Sequence, residues 1–244
     1  MKQIIIHRLN FPRAGEARGI TIVIDVIRAF TVAAYAFSVG ASRLWLVCTT
    51  EEAFELRRRE PGALLAGEIG GRLIPGFDFN NSPALMAKAS LAGRVLIQRT
   101  GAGTQGAVNA AHSQHLLICS LVNAKATAQY ARTLATQTGE PVTLLPTGKP
   151  DEAFSLTEDD FCADYLEALI ALRDDAPQVL RDRITQLRTL GRFSEWQQGN
   201  EADFPAEDID KVLDANRFDF AMVGMRREWN GIVYVEVERR GLYL

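Results

Sequence analysis

Ile20-Thr21-Ile22-Val23-Ile24-Asp25 is a β-branched run that ends in a carboxylate. An unbroken apolar run of this length reads as a strand buried on both faces, the habit of a parallel sheet covered by helices. Residues 30–39 follow, rich in alanine and aromatics and stopping at Gly40, and predict a helix. The same alternation recurs on both sides of this pair. The start, Met1 to His7, reads as a strand, and so does Leu44-Trp45-Leu46-Val47-Cys48. Thr49 or Thr50 caps a helix over 51–59, with acids in its first turn and arginines in its last, as the helix dipole favours. Ala63-Leu64-Leu65-Ala66 is a short strand. A helical stretch then leads from Pro83 towards Gly93, followed by a strand over 94–98 and a helix over 105–112. A strand over 116–119, a helix from Asn123 to about Thr138, a strand over 141–145 and a helix over 157–172 complete the series. This order predicts an α/β fold with a largely parallel sheet and helices on both faces. Residues 173–215 are charged and helical, interrupted near Gly191 and around 199–205. Two last strands, 218–223 and 232–237, flank 226–231 and read as a closing hairpin or as sheet edges. No linker divides the chain, so residues 1–244 read as one α/β domain, whose part beyond 173 can form a subdomain.

The 244 residues are 47% hydrophobic and 23% charged, with a net charge of -3. That is an ordinary globular composition, with a chain long enough for a sizeable core. The charge does not suit a general nucleic-acid or membrane-surface binder. No apolar run reaches the roughly 18 residues of a membrane helix, and the start lacks the pattern of a signal peptide. Cys48, Cys119 and Cys162 are too few and too scattered for a disulfide framework, which places the protein in a reducing cytoplasm.

The stretch Gly67-Glu68-Ile69-Gly70-Gly71-Arg72-Leu73-Ile74-Pro75-Gly76-Phe77-Asp78-Phe79-Asn80-Asn81-Ser82-Pro83 is polar and glycine-rich. Glu68 and Asp78 are hard oxygen ligands that suit Mg²⁺. Arg72 can fork onto a phosphate or sulfonate. A plain surface loop with a few salt bridges is the competing reading. Asp25, this loop, Thr100–Thr104 and Thr147-Gly148 all fall at predicted strand ends, where open α/β sheets gather ligands.

Each of these residues also has a structural reading. Asp25 can hold Mg²⁺ or act as a base, or it can cap a helix or pair with Arg28. Thr100-Gly101-Ala102-Gly103-Thr104, between a strand and a helix, can cradle a phosphate on its amides or serve only as a turn. It is neither a Walker motif nor a complete GxGxxG. Glu158, Asp159 and Asp160 open a helix, where acids suit the dipole. His7, His112 and His115 show no metal-ligand spacing.

Taken in order, these stretches resemble the 2-phosphosulfolactate phosphatase family. Asp25-Val26-Ile27-Arg28-Ala29 matches the family's Asp-Val-Leu-Arg-Ala strand end. Gly67-Glu68 and Gly76-Phe77-Asp78-Phe79-Asn80-Asn81-Ser82-Pro83 match its Gly-Glu-Arg-x-Gly and Gly-Phe-Asp-x-x-Asn-Ser-Pro strings. A Thr-Asn-Gly-Thr-like turn, a Ser-x-x-Asn-Ala element at Ser120–Ala124 and a Ser-Leu-Glu-Asp-like helix start near 155–159 follow. The resemblance implies a Mg²⁺-dependent phosphatase that removes phosphate from a small sulfonated, carboxylated hydroxy acid, in coenzyme M biosynthesis where that pathway exists. It also implies a homodimer or larger homo-oligomer. The implied metal ligands come from Asp25, Glu68, Asp78, Glu158 and Asp159, with Asp25, Arg28 and Glu68 as catalytic groups. Arg72, Asn81, Ser82, Thr100, Gly101, Gly103, Thr104 and Asn123 are the implied substrate contacts. The alternative is a non-catalytic binding or sensor protein for a small phosphorylated acid. The sequence departs from the pattern at Ile69, where the family has arginine, and at Asn80, where it has glycine. It departs again at Pro146-Thr147-Gly148, Thr157 and Ala163-Asp164. The loss of the arginine predicts a preference for a substrate with one fewer acidic group.

Overall fold

The computed structural model describes residues 3–149, 156–189, 193, 196 and 202–241. In chain order the elements are β1 (Ile6–Arg8), β2 (Ile20–Ile24), α1 (Ala29–Ser38), β3 (Arg43–Val47), α2 (Thr50–Arg59), β4 (Leu64–Ile69), β5 (Arg72–Leu73), α3 (Pro83–Met86) and β6 (Val95–Arg99). Then come α4 (Gly103–Asn109), β7 (His115–Cys119), α5 (Ala124–Thr138), β8 (Val142–Pro146), α6 (Glu158–Ile170), α7 (Ala176–Thr189), α8 (Glu207–Leu213), β9 (Phe220–Trp229) and β10 (Ile232–Gly241). Met1, Lys2, residue 155 of the expected helix start, Gly191 and residues 199–201 of the expected interruptions lie outside the described residues.

All ten strands among the described residues join one sheet in the order β1-β8-β2-β7-β9-β10-β3-β6-β4-β5. The α/β class and the largely parallel sheet stand. One parallel block is β1-β8-β2-β7, a second is β3-β6-β4, and the antiparallel hairpin β9-β10 lies between them. The expected closing hairpin stands, and the expected edge placement does not, because the hairpin is at the centre of the sheet. Its charges misled the reading. Each hairpin strand is ten residues long, but β7 pairs only with Met222–Gly224 and β3 only with Val235–Val237. Arg226, Arg227, Glu228, Arg239 and Arg240 lie beyond those pairs and stay exposed. Residues 226–229 belong to β9, and only Asn230-Gly231 turn, both at positive φ (48° and 78°), as a two-residue hairpin loop requires.

The hairpin reverses the chain direction between the blocks, so β2 and β6 run nominally antiparallel. Five strand steps separate them. At about 20–25° of twist per step the accumulated rotation is on the order of 100°. That rotation swings the carboxyl ends of the two blocks towards each other over α1.

One face of the whole sheet packs on α1 and α4, through Val23, Leu145, Leu116, Met222, Val237, Leu46, Leu96 and Ala66 among others. Every residue of α1 from Ala29 to Phe37 is buried, which explains a helix with no polar face. The other face is split. Under α5 and α6 lie Ile22, Leu117 and Leu144; against α2 lie Trp45, Val47, Leu65 and Ile97. Helices therefore cover both faces, as expected. Among the described residues no helix is long and apolar enough to cross a membrane.

The helix starts follow the capping chemistry. Thr49 caps α2 in a reciprocal box with Glu52, and Thr157 caps α6 in the same way with Asp160. Two local expectations change. The helix after Pro83 ends at Met86. The strand expected over 63–66 runs on to Ile69 and returns as β5 through Gly70-Gly71, both at positive φ, so half of the polar loop is itself a hairpin.

Candidate active site

β2 delivers Asp25, whose amide still donates to the Cys119 carbonyl of β7 (3.1 Å). The side chain turns onto the start of α1, where Oδ1 accepts from the Ala29 amide at 2.9 Å. A backbone hydrogen bond from Gly103, at the start of α4, reaches the same carboxylate. Asp25 thus fastens the start of α1, whose N-cap position is Arg28, while joining two loops from opposite halves of the sheet. It is 6% exposed. Burial pushes its pKa up, and the Glu158 and Glu68 carboxylates push it further against the two amides, to about 7. Gly103 makes the approach possible, since a Cβ there would stand 2.5 Å from Asp25 Oδ2. Gly103→Ala is therefore expected to lower the unfolding free energy by roughly 1–3 kcal/mol. Urea denaturation measures it, and an unchanged midpoint would show that Asp25 swings aside freely.

The other carboxylates fasten loops. Glu68, at the end of β4, accepts from the Gly101 amide and the Gly71 amide, each at 2.7 Å. Asp159, buried in the first turn of α6, accepts from the Val26 amide at 2.7 Å through one oxygen. Through the other it accepts from the Thr147 and Gly148 amides, at 3.2 and 2.7 Å, and from the Thr147 hydroxyl. It locks the β2–α1 loop to the end of β8. Burial, Asp25 and Glu158 raise its pKa well above the usual carboxylate range. Glu158, beside it and 5% exposed, faces Asp25 closely enough to shift it. Thr100 and Thr104 close their turn on each other, the Thr100 amide donating to Thr104 Oγ1 at 2.9 Å. The Gly101 and Gly103 amides, expected to cradle a phosphate, are held by Glu68 and Asp25.

Arg28 does not pair with Asp25. Its buried guanidinium donates to Asp208 Oδ2 at 2.9 Å and to the Asp203 and Gly71 carbonyls, and lies against the rings of Trp196 and Phe204. Asp208 also accepts from the Ser82 hydroxyl at 2.6 Å and the Ala84 amide at 2.9 Å. Asp203 accepts from the Leu73 amide and from Asn80. The bulk of Asn80 is thus taken up by a partner 123 residues away. Ser82 caps α3, and buried Asn81 keeps its carbonyl oxygen unpartnered among the described residues. Asp203 and Asp208 escaped the sequence reading because an acidic run such as Glu207-Asp208-Ile209-Asp210 looks solvated. The adjacent aromatic Phe204 was the available signal.

Three expected site residues lie elsewhere. Asp78 accepts from the Leu65 amide at 2.8 Å and pairs with Arg57. Leu65 is three residues before Glu68, about 10 Å along the strand. Arg72 is exposed and is cross-strand partner to Ile69, so both occupy the face of the hairpin opposite Glu68. Ile69 therefore does not take the place of a cation beside Glu68. Asn123 is consumed by the Ser120 amide and by Thr127.

Two polar residues outside the expected site set flank Asp25, although Ser120 opens the Ser-x-x-Asn-Ala element. Gln98, fully buried, donates to the Ala29 carbonyl at 2.8 Å and leaves its Oε1 unpartnered among the described residues. Ser120 follows Cys119, the β7 neighbour of Ile24, and its buried hydroxyl is likewise unpartnered. Among the described residues no three or more His, Cys, Asp or Glu form a ready-made metal cage. Mg²⁺, however, commonly takes only one or two protein carboxylates and fills its shell with water and substrate phosphate. Asp25 and Glu158, with Glu68 beside them, are mutually repelling hard-oxygen donors next to orphaned polar atoms. That donor set fits such an ion.

A family model described as 2-phosphosulpholactate phosphatase matches residues 7–219. A probable 2-phosphosulfolactate phosphatase of Bacillus subtilis (strain 168) is 42% identical over 153 residues, 62% of this chain and 64% of that protein. The protein of the same name from Deinococcus radiodurans is 43% identical over 119 residues, 48% of this chain and 50% of its own. One from Caldicellulosiruptor saccharolyticus is 32% identical over 164 residues, 67% and 66% respectively. The matched stretch thus spans between half and about two thirds of the length of these relatives.

Proposed function

Because the chain belongs to the 2-phosphosulpholactate phosphatase family, we propose that it is a Mg²⁺-dependent phosphatase acting on the phosphate ester of a small sulfonated or carboxylated hydroxy acid. The observation that carries this reading is Asp25: a buried carboxyl with a pKa of about 7, facing Glu158 and Glu68 where two halves of the sheet meet. Near neutral pH such a group exchanges its proton readily for a bound divalent cation, whose charge offsets the repulsion from Glu158 and Glu68. Asp25 and Glu158, with Glu68 beside them, would hold Mg²⁺, which would supply Lewis-acid polarisation at the phosphoryl group. Lys149, exposed next to the Gly148 whose amide Asp159 holds and with its ammonium over the Phe11 ring, is the cation we assign to the second acidic group. Arg28 and Asp208 act at one remove, holding the loop from Gly71 to Ala84 in place. The protein is cytoplasmic in this reading, and a homodimer or larger homo-oligomer, which sedimentation equilibrium tests.

Phosphate release from 2-phosphosulfolactate and from simpler phosphorylated hydroxy acids is the direct test. Release that requires Mg²⁺ supports the reading. Saturable binding with no release across the panel would replace it with a non-catalytic binder. Removal of divalent ions with EDTA is expected to abolish turnover, and added Mg²⁺ to restore it. Full turnover after exhaustive chelation would sink the metal. Ile69→Arg is expected to leave the substrate preference nearly unchanged, because residue 69 shares a face with Arg72 and not with Glu68. A large gain in kcat/KM for the more acidic substrate would show that this face also meets the ligand.

A further inference from the structure

A concave site lies at the other end of the β3–β6 block. Arg43 is the first residue of β3 and Arg94 immediately precedes β6, whereas the Thr100–Gly103 turn follows the last residue of β6. The five residues of β6, roughly 17 Å of strand, separate this cavity from Asp25's loops. Its volume is about 470 Å³, the size of a small-molecule site. Arg43, Arg59, Arg94 and Arg227 line it, against the two carboxylates of Glu60 and Glu236. Locally that is an excess of two positive charges, in a chain of net charge -3.

The arginines are fixed from beneath. Glu236, 7% exposed, accepts from Arg43 at 3.4 Å and from the Trp45 indole at 3.1 Å through one oxygen, and from Arg227 at 3.1 Å through the other. Arg59 donates to the Tyr234 hydroxyl at 3.0 Å and lies over the rings of Trp45 and Trp229. Arg94 is tied by one N–H to the Gly62 carbonyl at 2.8 Å. A guanidinium has five N–H donors, so each of these groups is oriented by one or two bonds and keeps donors for a ligand. Arg59 and Arg94 have no carboxylate partner among the described residues. The aromatic floor is closed, since Trp45 and Tyr234 are 5% and 3% exposed. The cavity therefore offers guanidinium donors and no open ring for stacking.

We propose that this cavity is a second, non-catalytic anion site that takes a phosphate dianion, free or as a small phosphate monoester. An excess of two positive charges matches a dianion, and guanidinium forks match its oxygens.

The test follows the Trp45 indole N–H resonance of the full chain, assigned with Trp45→Phe, during titration with inorganic phosphate and separately with phosphoglycolate at fixed low salt. A saturable shift is expected, with an affinity weakened about tenfold or more in Arg43→Gln/Arg94→Gln and retained in Asp25→Asn. Tighter binding of phosphoglycolate would assign the site to monoesters, and tighter binding of phosphate to the free ion; either supports it. A shift that never saturates, or the same affinity in the double variant, overturns the site. Conversion of an oligomer to monomers by the double variant, seen by sedimentation, also overturns it, because the cavity would then be a subunit interface.

Discussion

Asp25→Asn is expected to cut phosphate release by about 100-fold or more while leaving the fold intact, since it removes a charged metal-binding oxygen from a near-isosteric side chain. The same substitution is expected to stabilise the metal-free protein in alkaline buffer. The Asp25 carboxyl is raised from an ordinary 3.8 to about 7 in the folded state. Below about pH 4 it is protonated whether folded or not, and costs nothing. Between pH 4 and 7 the unfolded chain releases the proton and the folded chain keeps it. The folded state then binds more protons, so stability falls as pH rises through this window. Above pH 7 the full cost is present, on the order of a few kcal/mol. Asparagine has no such cost, so in EDTA the variant's unfolding midpoint should exceed wild type at pH 8 and approach it near pH 4. Mg²⁺ should flatten the wild-type slope, because a cation restores preference for the carboxylate. A variant that unfolds more easily at pH 8 and still turns over would make Asp25 a purely structural cap for α1.

Asp208→Ala is expected to destabilise the protein by roughly 3–5 kcal/mol, the cost of leaving one member of a buried ion pair alone. The Arg28–Asp208 side chains are 3% and 0% exposed. Three more donors, from Ser82, Ala84 and Trp196, lose their acceptor with it. A shift of the urea midpoint at unchanged slope measures the loss. A change below about 1 kcal/mol would show that Arg28 finds another acceptor. Replacing both partners, in Arg28→Met/Asp208→Leu, is expected to recover much of the loss, since no isolated charge then remains buried. That double variant separates the pair's role in holding the loop from any direct part of Arg28 in catalysis.

Much of this was legible locally. The run from Ile20 to Asp25 identified a buried parallel strand and its polar end, because burial on both faces leaves no polar position within the strand. Thr49 or Thr50 before an acidic first turn, and the acids Glu158, Asp159 and Asp160, marked helix starts, because capping and dipole terms act within one turn. The Phe77-Asp78…Asn81-Ser82-Pro83 string carried the family. Within that string, however, the sequence could not separate ligands from fasteners. Asp78 bonds the Leu65 amide, and Ser82 bonds Asp208, 126 residues away. Nor could it place the last hairpin. Its charged ends suggested an edge, and only the register with β7 and β3 shows that its buried halves join the two parallel blocks.

The division has a physical cause. Periodicity and capping record how each residue meets its immediate neighbours and the solvent, and those terms are fixed within a few residues of chain. Whether Asp25 faces Glu158 and Gly103, or Arg28 faces Asp208, depends on how far the sheet twists between β2 and β6 and on which loops that rotation brings together. That sum over the whole sheet is written at no single position, and only the tertiary structure decided it.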